Sequence, residues 1–221
     1  MAVLGAPVVL DGSYGEGGSA LIRMALQMAS ITQQPMRIDG VRSGTKFPGL
    51  TLEDIAIIRA LGKITSAETV GVANGSTSFS FLPTRQPQGL KGPIEVGARE
   101  GETAFANACV VLNTIVPVVA RSGVYSETTM RGETYGLGAL SYDYFANVTM
   151  KAHRQFGLHA FPDQVIAGFG RASQGELGLE VEPSQIQGSN FEDRGKHLAT
   201  HALVTLSELP DQVGVRGVAH L

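Results

Sequence analysis

Residues suited to holding a phosphate gather early in the chain: glycines at 12, 15, 17 and 18 and basic side chains at Arg23, Arg42 and Lys46, with one carboxylate, Glu16, among them. Asp11-Gly12-Ser13-Tyr14-Gly15-Glu16-Gly17-Gly18 follows an apolar, strand-like run from Pro7 to Leu10. It precedes Ser19 to Ile31, where Leu21, Met24, Ala25 and Met28 have helical spacing. A glycine-rich turn between strand and helix presents unpaired backbone N–H groups at a helix start, where anions are held. Glu16 stands apart, because a carboxylate there competes with an anion unless it holds a metal or meets a sugar hydroxyl or a basic group. Side chains lean towards the N-terminus of their helix, and a guanidinium suits phosphate bidentately. Arg23 and Arg42 are therefore expected to converge on one anion-sized space near the turn.

The elements that position these residues alternate. Met36 to Val41 reads as a strand, Arg42-Ser43-Gly44-Thr45-Lys46-Phe47-Pro48-Gly49-Leu50 as a loop, and Thr51 to Leu61 as a helix. Glu68 to Val72 and Thr77 to Leu82 flank the hairpin signal Ala73-Asn74-Gly75-Ser76. A strand over Gly92 to Gly97 and a long apolar helix over Thr103 to Ala120 come next. Val124 to Arg131 reads as a strand, Tyr142 to Phe156 as a helix, and Leu158 to Ala167 and Glu176 to Glu182 as strands. The pattern predicts an α/β (α+β) chain built of units, each a helix or two against a few strands. Ser184 to Arg194 is the most polar connection and the expected internal boundary, dividing residues 1–184 from 185–221.

The glycine turn and the Arg42 loop together resemble the RNA 3'-terminal phosphate cyclase family. There an Asp-Gly-x-x-Gly-Glu-Gly-Gly turn precedes a helix with an Arg, and an Arg-x-Gly-x-x-x-Pro-Gly-Leu loop follows. The similarity continues through Ile31 to Pro35, Val111 to Pro117 and Glu180 to Pro183. It implies repeated two-layer βαβαββ-like units with helices packed on four-stranded sheets. It also implies a reaction in which a histidine takes up the adenylyl group of ATP and passes it to an RNA 3'-phosphate, after which the 2'-hydroxyl closes a 2',3'-cyclic phosphate. By resemblance, Glu16, Gly17, Gly18, Arg23, Arg42, Lys46 and Asn113 would bind nucleotide or phosphate, and Glu16 would meet a divalent metal. An RNA 3' end is the implied partner.

The chain departs from the family pattern at several of these places. Ala20 stands for a Gln, Thr45 for an Arg, Glu53-Asp54 for a Gln-His pair, Asn113 for a Gln, and Tyr135 for an Asp. Glu53 and Asp54 put negative charge where a phosphate site prefers neutral or positive groups. Nothing in the chain matches the family's Ser-x-His-Leu-Leu-Thr-like nucleophile segment, so a shortened relative or a piece of a larger protein is expected, its C-terminal part or a protein partner supplying the rest. A non-catalytic RNA-processing or ribosome-biogenesis type of binding module is the alternative on the same fold. An enolpyruvyl transferase-like enzyme is the more remote one.

Composition sets outer limits. The 221 residues are 43% hydrophobic and 17% charged, with a formal net charge of −3, which speaks against broad nucleic-acid binding through a basic face. A single terminal phosphate needs only a few placed arginines. The lone Cys109 suits a buried position in a reducing, cytoplasmic setting, and no stretch has the length of a membrane span. His197 and His201 would share a metal only on a helix, since on a strand they would stand ~13 Å apart. His153, His159 and His220 have no activating carboxylate nearby in sequence.

Overall fold

The computed structural model describes residues 5–15, 17–94, 104–193 and 195–220. Glu16, residues 95–97 of the expected strand, Thr103 and Arg194 lie outside the described residues. The chain divides into two compact units at Gln187/Gly188.

In the first unit, β1 (Val8–Asp11), α1 (Ser19–Thr32), β2 (Met36–Asp39), α2 (Leu52–Thr65), β3 (Glu68–Val70) and β4 (Ser78–Leu82) form one βαβαββ repeat. Its sheet order is β1-β2-β4-β3, with β1 parallel to β2 and the other pairs antiparallel. The register places Met36 opposite Phe81 and Ile38 opposite Phe79. All four face the core, as the two-residue strand period requires.

The second repeat contains α3 (Ala108–Arg121), β5 (Ser126–Gly132), a helical segment, β6 (Ala160–Ile166) and β7 (Gly175–Val181). The helical segment runs as α4 (Tyr142–Tyr144), a π turn (Phe145–Thr149) and α5 (Met150–Gln155). The sheet order is β5-β7-β6. Lys91 and Ile94 bridge in parallel to Glu127 and Met130 of β5, so the 91–94 stretch stands to β5 as β1 stands to β2. The two repeats thus share one topology.

α3 carries the shared core. It packs on α1 and α2 and on its own strands β5 and β7, which is why Val111, Leu112, Ile115, Val116, Val118 and Val119 are all fully buried. The helix begins later than its apolar run suggests. Ala108 N–H donates to Glu133 O at 2.8 Å and Glu133 N–H to Ala106 O at 3.1 Å, so residues 106–108 are held in a strand-like bridge. The Asn107 side chain then caps the helix from Val110 N–H at 3.0 Å.

α2 runs four residues past Leu61 and ends at Ser66, where φ is 50°; burial of Ile64 outweighs the low helix propensity of Gly62. Among the described residues no helix is long and apolar enough to cross a membrane.

Cys109 is fully buried on α3, and burial pushes its thiol up to about 12. A disulfide reagent at pH 8 should leave it untouched in the native protein and titrate one thiol in guanidinium. Fast labelling of the folded chain would contradict this packing.

Among the described residues of the second unit, α6 (Asp211–Ala219) is the regular element. The Leu206 side chain lies 2.7 Å from where a Cβ on Gly214 would stand. His197 and His201 lie on neither a helix nor a strand, and His197 Nε2 is 3.0 Å from Thr200 Oγ1.

Candidate functional site

The glycine turn is built by close approach. A Cβ on Gly12 would stand 2.9 Å from the Val41 backbone, and Gly15 and Gly17 have φ of +65° and +60°, conformations glycine adopts without strain. Ser13 donates its N–H at 2.9 Å and its hydroxyl at 2.6 Å to Asp11 Oδ1. These bonds hold the Asp11 carboxyl below the usual carboxylate range and set the start of the turn. The turn rests on the next loop through Arg42 N–H to Gly12 O at 3.3 Å.

α1 then starts at Ser19 behind Gly18, which is extended and offers no side-chain cap, with no acidic residue in the first turn. By contrast, Thr51 and Asp54 form a capping box on α2, and Asn107 caps α3. Among the described residues no side chain caps the first N–H groups of α1, and the positive end of a helix suits an anion.

Arg42 differs from the open phosphate ligand its motif suggests. Its backbone is left-handed at φ 50°, and its side chain is only 8% exposed. Nη1 donates to Asp54 Oδ2 at 2.6 Å and to Gly49 O at 2.7 Å, and Nη2 donates to the Ser19 hydroxyl. Asp54 Oδ2 also accepts Thr51 N–H at 2.8 Å and Thr51 Oγ1–H at 2.9 Å. Arg42 thus braces the loop, the start of α1 and the start of α2.

Arg23 reaches back as its helical position dictates, Nε donating to Ser19 O at 3.2 Å. Both arginines meet Ser19, one on its hydroxyl and one on its carbonyl. Lys46 is exposed, its ammonium 5.4 Å from the Phe47 ring centroid. Asn113 is half-buried on α3, and its Oδ1 has no hydrogen-bond partner among the described residues. Gly17 and Gly18 stand at the mouth of α1, and Glu16 lies outside the described residues.

The carboxylates that look adverse in sequence are each matched by a guanidinium. Asp54 takes Arg42, and Glu53 Oε1 takes Arg171 Nη2 at 3.1 Å. Arg171 has no sequence signal linking it to the glycine turn. It comes from the β6–β7 connection of the second repeat, whereas Asp54 was legible as the partner of Thr51 in a Thr-x-x-Asp variant of the capping box. Among the described residues no three His, Cys, Asp or Glu side chains gather as they would to hold a metal ion.

Comparison with known proteins comes down on one family. Residues 14–212 match the family model described as RNA 3'-terminal phosphate cyclase. The chain is 32% identical over 211 residues to the RNA 3'-terminal phosphate cyclase of Nostoc punctiforme, covering 95% of this chain and 60% of that one. It is 32% identical over 216 residues to the protein of that name from Salmonella typhimurium, covering 97% and 61%. For Trichormus variabilis the figures are 31% over 209 residues, 94% and 60%. The chain thus spans about 60% of the length of these relatives.

Proposed function

The chain belongs to the RNA 3'-terminal phosphate cyclase family, and on that premise we propose that it holds a terminal phosphate at the start of α1. The phosphate would be that of an RNA 3' end or of a nucleotide. The observation that carries this reading is the uncapped N-terminus of α1 behind Gly17 and Gly18, with Arg23 folded back onto Ser19. The reaction it would serve is ATP-dependent closure of a 2',3'-cyclic phosphate at an RNA end. In that reaction ATP supplies the adenylyl group, and Gly17, Gly18, Arg23 and Lys46 are the residues suited to its phosphates. The divalent metal that the resemblance assigns to Glu16 would sit at a residue outside the described ones, and among the described residues no three His, Cys, Asp or Glu side chains gather to hold one.

A covalent adenylate needs a histidine at the phosphate. Among the described residues none hydrogen-bonds to Ser19, Arg23, Arg42 or Asp54. Binding is therefore expected to outlast chemistry in this chain, and the enclosure of Arg42 by Asp54 favours the binding-module reading.

Fluorescence anisotropy with an oligoribonucleotide ending in a 3'-phosphate, against its 3'-hydroxyl twin, tests the site. The phosphate is expected to bind about tenfold tighter, as one charge-assisted hydrogen bond would give. Equal affinities would refute the phosphate site. Incubation with α-labelled ATP and a divalent metal should leave no label stable to denaturation. A stable label lost on mutating one histidine would instead establish catalysis.

A further inference from the structure

Resting on that reading, we propose that Arg171 is the guanidinium that takes the terminal phosphate monoester at this site, exchanging its partner Glu53 for the ligand. Arg42 has three donor contacts committed, to Asp54, Gly49 and Ser19, and is almost wholly enclosed. Arg171 is placed oppositely. Its side chain is 55% exposed, and among the described residues its ion-pair partner is Glu53, met through Nη2, while a guanidinium carries five N–H donors.

A continuous chain of contacts links it to the turn. Gly17 packs on Arg42, Arg42 bonds Ser19 and Asp54, and Glu53, next to Asp54, holds Arg171.

The backbone beneath Arg171 is pinned. Gly170 N–H donates to Tyr135 O at 2.8 Å, and Arg171 O accepts Phe105 N–H at 2.8 Å. Thr134 and Tyr135 N–H both donate to Gly168 O at 2.9 Å. Tyr135 stacks on Phe169 with ring centroids 4.5 Å apart. The loop backbone is therefore fixed while the side chain it carries is exposed and, among the described residues, ion-paired to Glu53 alone, an arrangement that positions a long cation to swing between two anions.

The exchange is favourable on charge. Solvent reaches the Arg171 end of the pair, 55% exposed against 15% for Glu53, and weakens it, whereas a phosphate monoester carries more negative charge than a carboxylate and accepts a guanidinium bidentately. Glu53, once released, is not stranded, because it sits in the first turn of α2, where the helix dipole favours an anion.

Arg171→Ala, Arg171→Lys and Glu53→Gln in the full 221-residue chain decide the matter, with melting temperatures confirming that each folds. Anisotropy is read with the 3'-phosphorylated oligoribonucleotide, its 3'-hydroxyl twin and ATP. Arg171→Ala should weaken the 3'-phosphorylated RNA about ten- to a hundredfold and leave the 3'-hydroxyl RNA unchanged. Arg171→Lys should retain part of the preference, and Glu53→Gln should tighten the phosphorylated RNA. A loss confined to ATP would assign Arg171 to the nucleotide phosphates instead of the RNA end. If the unmodified chain prefers the phosphate and Arg171→Ala keeps that preference, for RNA and ATP alike, this inference fails while the α1 site stands. If Glu53→Gln weakens binding as Arg171→Ala does, the pair is a structural brace and the exchange is wrong. If the unmodified chain shows no preference, the α1 site fails as well.

Discussion

Asp54→Ala should destabilise the protein by about 3–5 kcal/mol, the range for breaking a buried ion pair by removing one partner. Asp54 is fully buried and the Arg42 side chain is 8% exposed, so no screening by solvent softens the loss. The substitution leaves the Arg42 charge enclosed with Gly49 O and the Ser19 hydroxyl, and takes the capping box from α2. Asp54→Asn, which keeps an acceptor and loses the charge, should fall between the two. Urea denaturation of the three proteins measures the differences. A midpoint for Asp54→Ala within error of the unmodified chain would show that Arg42 finds another partner and that the brace described above is not one.

Gly49→Ala is the second large effect. Gly49 has φ +92°, and a Cβ there would lie 2.2 Å from the Gly75 carbonyl oxygen. Backbone atoms on both sides would have to part, breaking the latch of Leu50 N–H to Ser76 O at 3.0 Å and Gly75 N–H to Leu50 O at 2.9 Å. Strained backbone and overpacking together should amount to about 2–4 kcal/mol. Gly75→Ala is the matched control: its φ is +75°, yet nothing lies within 4 Å of the added Cβ, so only the left-handed backbone, about 1–2 kcal/mol, is at stake. Thermal melts should rank Gly49→Ala well below Gly75→Ala. Equal melting temperatures would remove the steric argument. The first variant should also loosen the Arg42 loop and reduce the preference for phosphorylated RNA ends.

What the sequence determined by itself is local. The strand, glycine turn and amphipathic helix at Asp11 to Ile31 needed only turn chemistry and a 3.6-residue period, and α1 matches them to within one residue at its end. The family likewise followed from short motifs, because their residue order is carried by the chain itself. The alternation of elements was enough for the βαβαββ order of the first repeat, while the sheet itself runs β1-β2-β4-β3, with β4 and not β3 beside β2.

Only the tertiary structure decided where α3 begins, since a bridge between Ala106 to Ala108 and Glu133 overrides the helical preference of the residues before it. It also decided the charges. Read along the chain, Glu53 and Asp54 oppose a phosphate site and Arg42 serves one. In space Asp54 consumes Arg42, and Glu53 brings in Arg171 from the other repeat. Propensity and periodicity act over a few neighbouring residues, whereas an ion pair depends on which distant segments the packing of α2 and α3 brings within about 3 Å, and no local pattern encodes that distance.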